Sequence, residues 1–234
     1  VALVLVGLAG PLLNPAARLG LSGPLLLVID DGWAAGPSWQ ATENMMQNIL
    51  GEAARTDRPV RLLFTARRKA NEAPTLSEVL RPADARQQLA SHSPASWPGD
   101  RAGAAAALEK AEASETIYFS DGTESEGSSI LLQALTKRDA IAIHQPEGGR
   151  LPLLRLPPTV SAGGLQAKIL RAGPLPESPV TLRATAADGR VLARETIPFP
   201  ADQTSLSHNL RLPAELRNTV TRLQIENESS AAAT

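Results

Sequence analysis

Residues 25–30 read LLLVID, an unbroken apolar run that ends in acid. A strand with one wet face alternates apolar and polar residues. One that is apolar at every position must be covered on both faces, as in the middle of a parallel sheet. Such a sheet needs crossover helices, and the following sequence offers them. Pro37-Ser38 opens a helix with Ser38 as its N-cap, and Met45, Ile49 and Ala53 recur along one face. VRLLFT (60–65) is a second strand, and residues 76–90 read as a helix with Leu76, Val79, Leu80 and Leu89 inward. The loop SHSPASWPGD leads to an Ala-rich helix over 101–113, then to the strand TIYFS (116–120), closed by Asp121-Gly122. Ser128 or Ser129 caps a helix with the stripe Ile130, Leu131, Ala134 and Leu135. Lys137 and Arg138 sit at its C-terminal end, where the dipole favours cations. AIAIH (140–144) is the fourth strand. Strands alternating with helices predict an α/β domain over 23–147, a doubly wound, mainly parallel, Rossmann-like sheet.

The pattern changes after Gly148-Gly149. Short alternating runs replace helical periodicity: QAKIL (166–170), VTLRATA (180–186), VLARETI (191–197), LSHNLRL (206–212) and TRLQIE (221–226). Asp188-Gly189 between the second and third is a strong two-residue hairpin signal. These runs predict a small all-β sandwich over 150–228, followed by a short tail, 229–234.

Composition narrows the function classes. The 234 residues carry a formal charge of -1 and only 3% aromatic residues, so neither a basic patch nor a base-stacking platform points to nucleic acid. The absence of cysteine excludes disulfides, thiol catalysis and thiolate metal sites. GxGxxG and Walker patterns are absent, and Ser120 in FSDG lacks the glycines of a nucleophile elbow. His92, His144 and His208 lack metal-ligand spacing, and the last two read as structural. The acidic tract SDGTESEGSS (120–129) reads as a solvated turn or a partner contact.

The chain starts with valine, which predicts excision from something longer, and Val1–Leu13 is almost wholly apolar. Thirteen helical residues rise about 20 Å, short of a ~30 Å hydrocarbon core. Two readings stand: the outer end of a transmembrane helix that begins upstream, with 14–22 as linker, or a buried element of the soluble fold. Gly10-Pro11 and Asn14-Pro15 suit a helix that stops on leaving the bilayer.

The α/β half resembles a von Willebrand factor A domain. In that family the first strand ends in Asp-x-Ser-x-Ser and a later one in Asp-Gly, and with a loop Thr these residues form a metal-ion-dependent adhesion site. Here LLLVID leads into Asp30-Asp31-Gly32-Trp33-Ala34, and TIYFS into Asp121-Gly122. Together with the apolar start ending in LAGPLLNP, this order resembles the bacterial Bat-type, aerotolerance-related membrane proteins. Those carry N-terminal transmembrane helices before such a domain outside the cytoplasm. The resemblance therefore implies a protein of the bacterial cytoplasmic membrane with its soluble domains on the periplasmic side.

The chain departs from that pattern where the metal would bind. Asp30 and Asp121 are present, but Gly32 and Ala34 stand where the serines belong, and SWPGDRAG offers no Thr. The expectation is a vestigial site with no bound cofactor. Magnesium is the cation that two carboxylates alone could in principle hold at such a place.

All three tryptophans lie in or beside loops of this half. Trp33 and Trp97 are placed by the pattern at the carboxyl-end crevice, where they form an aromatic patch in place of the metal or each cover their own loop. Trp39 reads as core. The function expected is non-enzymatic: a protein-interaction module of a membrane-anchored protein, its partner unspecified, with Trp33, Trp97, Asp30, Asp31 and Asp121 as binding candidates. The alternative is a magnesium-dependent phosphoryl-transfer or receiver-like site on Asp30, Asp31 and Asp121, although no lysine ends the AIAIH strand to balance phosphate charge.

Overall fold

Strand β1 (Leu25–Ile29) is buried at all five positions, as its unbroken apolar sequence requires. The computed structural model describes residues 23–69, 71–146, 151–161 and 164–228. The apolar start Val1–Leu13, the Gly148-Gly149 break and the tail 229–234 lie outside them. β1 pairs in parallel with β2 (Val60–Phe64) on one side and β3 (Glu115–Phe119) on the other; β4 (Ile141–His144) pairs in parallel with β3. The order β2-β1-β3-β4 gives a four-stranded, all-parallel sheet.

Helices cover both faces. Alternate β1 residues Leu25, Leu27 and Ile29 share a hydrophobic cluster with Met46 and Leu50 of α1 (Trp39–Arg55) and with Leu89 of α2 (Pro82–Ala90). Leu26 and Val28 face the other way, onto Ala104 and Leu108 of α3 (Arg101–Leu108) and Leu131 and Leu135 of α4 (Ser128–Thr136). Each large aliphatic side chain buried this way contributes about 1.5–3 kcal/mol. Trp39 is in the core as expected.

Several local expectations are corrected. The buried stripe of α1 runs through Met46, Leu50 and Ala53, and Met45 is exposed. Ser38 makes no capping bond, because a 3₁₀ turn over Trp33–Ser38 leads straight into α1. The helix expected over 76–90 is confined to Pro82–Ala90. Proline at its first position holds Arg81 in extended geometry and stops the helix growing backward. Residues 76–80 instead lie along β2, with Leu80 bridging Val60 and Leu76 bridging Leu63, so Val79 is 55% exposed. The Ala-rich helix ends at Leu108. α4 begins after Gly127, not on a serine cap. Gly127 has φ +83°, and a Cβ there would meet the Ala102 backbone at 2.7 Å; Ile130 points outward.

The remainder is antiparallel. β7 (Gly164–Arg171) pairs with β5 (Leu153–Arg155), β6 (Thr159–Ser161) and β10 (Ser205–Leu210); β8 (Ser178–Thr185) pairs with β9 (Val191–Phe199) and β11 (Arg222–Ile225). Alternating residues of both sheets, including Ile169 of β7, Leu182 of β8 and Phe199 of β9, belong to one buried cluster. β5, β6 and a short helix, α5 (Ala214–Arg217), have no counterpart in the sequence reading.

At the amino end of β1 the guanidinium of Arg58 ties three segments together. It donates to the Gly23 carbonyl at 3.1 Å, Glu115 Oε2 at 2.7 Å and Ser114 Oγ at 2.9 Å. The chain thus enters the sheet at the pole opposite its carboxyl edge.

Candidate functional site

The chain leaves β1 for β2 on one side and later returns to β3 on the other. The carboxyl end of β1 is therefore the switch point of the sheet, where the connecting loops part. In register, Ile29 stands beside Phe64 and Phe119, and the Asp30 amide donates to the Phe119 carbonyl at 2.9 Å. Asp30 and Asp121 therefore emerge side by side, as expected from the sequence.

Arg101, at the start of α3, bridges them. Its Nη2 donates to Asp30 Oδ2 at 2.6 Å and to Asp121 Oδ1 at 2.7 Å. Its Nη1 donates to the Thr123 carbonyl, Ser125 Oγ and Ser128 Oγ at 2.7–2.8 Å. The Arg101 side chain is only 3% exposed. It is placed by Asp100, which caps α3 by accepting from Gly103 N and is itself held by the Arg67 guanidinium and by its own amide bond to the Thr65 carbonyl.

Asp30 is saturated: Oδ1 accepts from Thr65 Oγ1 at 2.8 Å, and Oδ2 accepts from the Tyr118 hydroxyl at 2.6 Å besides Arg101. Burial and the Asp30 charge push the Tyr118 phenol up, so it stays a donor. Burial alone would lower Arg101, but Asp30 and Asp121 outweigh it and the net direction is up. Asp121 is raised by burial and by the Asp30 charge, against the opposing pull of Arg101 and Thr123.

That shift has a pH consequence. With its folded pKa above the ordinary 3.8, Asp121 holds its proton more tightly folded than unfolded. Its titration adds stability below the ordinary value, and the increment is lost as pH rises through the folded pKa. Urea denaturation of wild type and Asp121→Asn should show the stability difference moving in favour of wild type from about pH 7 to about pH 4. Movement the other way would remove Asp121 as its source.

Asp31 does not join this group. Successive strand residues point to opposite faces, and Asp31, wholly buried, accepts from Ala66 N at 2.7 Å, Arg68 Nη2 at 2.6 Å and His92 at 2.8 Å. His92 stacks on Phe64 with ring centroids 3.7 Å apart. The set expected to act as three carboxylates is thus a pair with an arginine, plus a separate carboxylate held by Arg68 and His92.

The loop 95–99 lies over the strand ends. Ala95 N donates to the Asp31 carbonyl at 2.7 Å, and Trp33 N to the Trp97 carbonyl at 3.1 Å, which brings the two candidate tryptophans together by their backbones. Gly32 sits beneath it, and a Cβ there would lie 2.8 Å from Gly99 N. Ala34 is buried in the 3₁₀ turn. Trp97 is 53% exposed, whereas Trp33 lines a cleft of about 260 Å³ that opens between this edge and the antiparallel sheets. Asp121, Thr123, Glu124 and Ser125 form its α/β side, and Leu154, Leu170 and Arg171 its far side.

The residues missed by sequence reasoning are Arg101, Tyr118 and Thr65. A signal for Arg101 was present. Two acids predicted to converge on a buried edge require a cation, and the loop facing them ends in one. No known protein family matches the sequence, and no curated protein does either.

Proposed function

We propose that this chain is a non-enzymatic protein-interaction module, a von Willebrand factor A-like domain followed by a β-sandwich, in a bacterial membrane protein similar to the Bat-type group. Its adhesion site is degenerate, and its recognition surface is the cleft and the tryptophans at the carboxyl edge of the parallel sheet. The observation that carries this reading is the Arg101 guanidinium between Asp30 and Asp121. It supplies the positive charge that a divalent cation would bring, and it engages five oxygen atoms of the kind that would ligate one. The single core shared by the antiparallel sheets supports the sandwich. Entry of the chain at the far pole suits a module held through upstream transmembrane helices, with the cleft turned away from the bilayer into the periplasm. The magnesium-dependent, phosphoryl-transfer alternative is weakened because Asp31 is engaged by Arg68 and His92.

The test is capture from membranes with the full-length protein, comparing wild type with the double variant Trp33→Ala, Trp97→Ala, each in magnesium and in EDTA. The reading expects a partner retained in EDTA and lost in the folded double variant. Capture abolished by EDTA would favour the magnesium alternative. Capture unchanged by the double variant would move the surface elsewhere.

A further inference from the structure

The cleft is polar on one wall and mainly apolar on the other, and the polar wall has a buried acceptor to spare. Asp121 Oδ1 takes the Arg101 guanidinium, Thr123 N and Thr123 Oγ1 at 2.7–2.8 Å. Asp121 Oδ2 receives no hydrogen bond from any described residue, although the side chain is only 6% exposed. Asp121 lines the cleft, and Oδ2 is the carboxylate oxygen that its protein donors leave for an occupant. Glu124 stands exposed on the same wall, without an ion pair among the described residues.

Opposite lie Leu154 and Leu170, with Trp33 at the side. Arg171 also lines this wall, but most of its donors are turned to backbone carbonyls. Four of its five N–H groups are donated to the carbonyls of Leu175, Pro176, Pro200 and Gln203, and its guanidinium lies 4.4 Å over the Phe199 ring. A volume of about 260 Å³ is below the usual range for a cofactor or drug-sized ligand, which starts at about 300 Å³.

We propose that the cleft receives a basic side chain, lysine or arginine, from an extended segment of a partner protein. Its aliphatic stem lies along Leu154, Leu170 and Trp33, and its charged head reaches Asp121 Oδ2 and Glu124. A long basic side chain matches both walls at once, since its methylenes cover apolar surface while the head keeps polar partners. Trp33 adds an aromatic face that a cation favours. A glutamate would face two carboxylates, and a norleucine would leave the Asp121 oxygen unpaired. This inference rests on the proposed recognition role of the same edge.

Blocked tripeptides Ala-Lys-Ala, Ala-Arg-Ala, Ala-norleucine-Ala and Ala-Glu-Ala are the probes, titrated into the full chain with the tryptophan indole N–H signals followed by NMR. The lysine or arginine peptide should move the Trp33 signal and leave that of buried Trp39 in place. The norleucine and glutamate peptides at equal concentration should move neither. Glu124→Gln, a surface change that keeps the fold, should weaken the basic peptide about threefold. Equal response to norleucine, no response to either basic peptide, or no effect of Glu124→Gln overturns the proposal. A Trp33 response to magnesium chloride but not to peptide reassigns the cleft to a metal ion. Failure here, with membrane capture still lost in the double tryptophan variant, removes the basic side chain alone. Failure of both removes the surface.

Discussion

Arg101→Ala should cost about 3–5 kcal/mol in urea denaturation, the penalty for removing one partner of a buried ionic group. The magnitude comes from what is left behind more than from the bonds lost. Asp30 and Asp121 are buried against each other, and without the guanidinium their charges repel in a poorly solvated space. Thr123 O, Ser125 Oγ and Ser128 Oγ lose their common donor at the same time, so the loop after β3 is released as well. Lysine should recover only part of the loss. A single ammonium has three donors and no planar fork, so it cannot span acceptors set on both sides of a guanidinium. The vacated space is ringed by oxygens, the donor type hard cations prefer. Magnesium at a hundredfold excess over its dissociation constant should therefore restore up to about 2.7 kcal/mol to Arg101→Ala, and nothing to wild type. A wild-type melting point that rises with magnesium would show that the arginine does not stand in for the cation.

Gly32→Ser is the second large effect, with an expected loss of about 3 kcal/mol, the upper end of overpacking penalties. It restores the serine that the resembled adhesion-site pattern carries at this position, yet it should not restore cation binding. A Cβ at residue 32 would sit 2.8 Å from Gly99 N, 3.0 Å from the Trp97 carbonyl and 3.2 Å from the Pro98 carbonyl carbon, all backbone atoms that no rotamer change can move aside. The covering loop has to lift, breaking the Trp33–Trp97 and Ala95–Asp31 backbone bonds that fix it. Chemical denaturation gives the loss directly. Proteolysis within 95–99 should rise in parallel, and an unchanged stability would mean that the loop yields at no cost.

The elements that could be read from sequence were those whose burial is uniform or whose turns are chemically marked. LLLVID and TIYFS are central strands covered on both faces, and their continuous apolar runs say so. Asp188-Gly189 marks the β8–β9 hairpin. The paired methionines Met45 and Met46 made two neighbouring helical phases look equally apolar, and packing against the sheet chose Met46. Residues 76–80 carry the leucine spacing of a helix, but Pro82 leaves them on the edge of β2, where extended geometry meets the Leu62 and Val60 backbone instead. β5 and β6 are three-residue strands flanked by prolines, too short for any periodicity to register. The site was half legible. Adjacent strand ends delivered Asp30 and Asp121 together, whereas Arg101 heads an Ala-rich helix and reads locally as a solvent-facing charge. Only the meeting of three segments distant in sequence buries it.

The Arg58 clamp and the cleft stand at opposite ends of β1. A pull transmitted from Gly23 to a partner held at the cleft would run along the strand, parallel to its neighbours β2 and β3. Hydrogen bonds on both flanks of β1 would then be strained together, in shear, instead of parting one after another as in peeling. A load applied along β1 in this way would be borne by more hydrogen bonds at once than one applied at the outer strand β4.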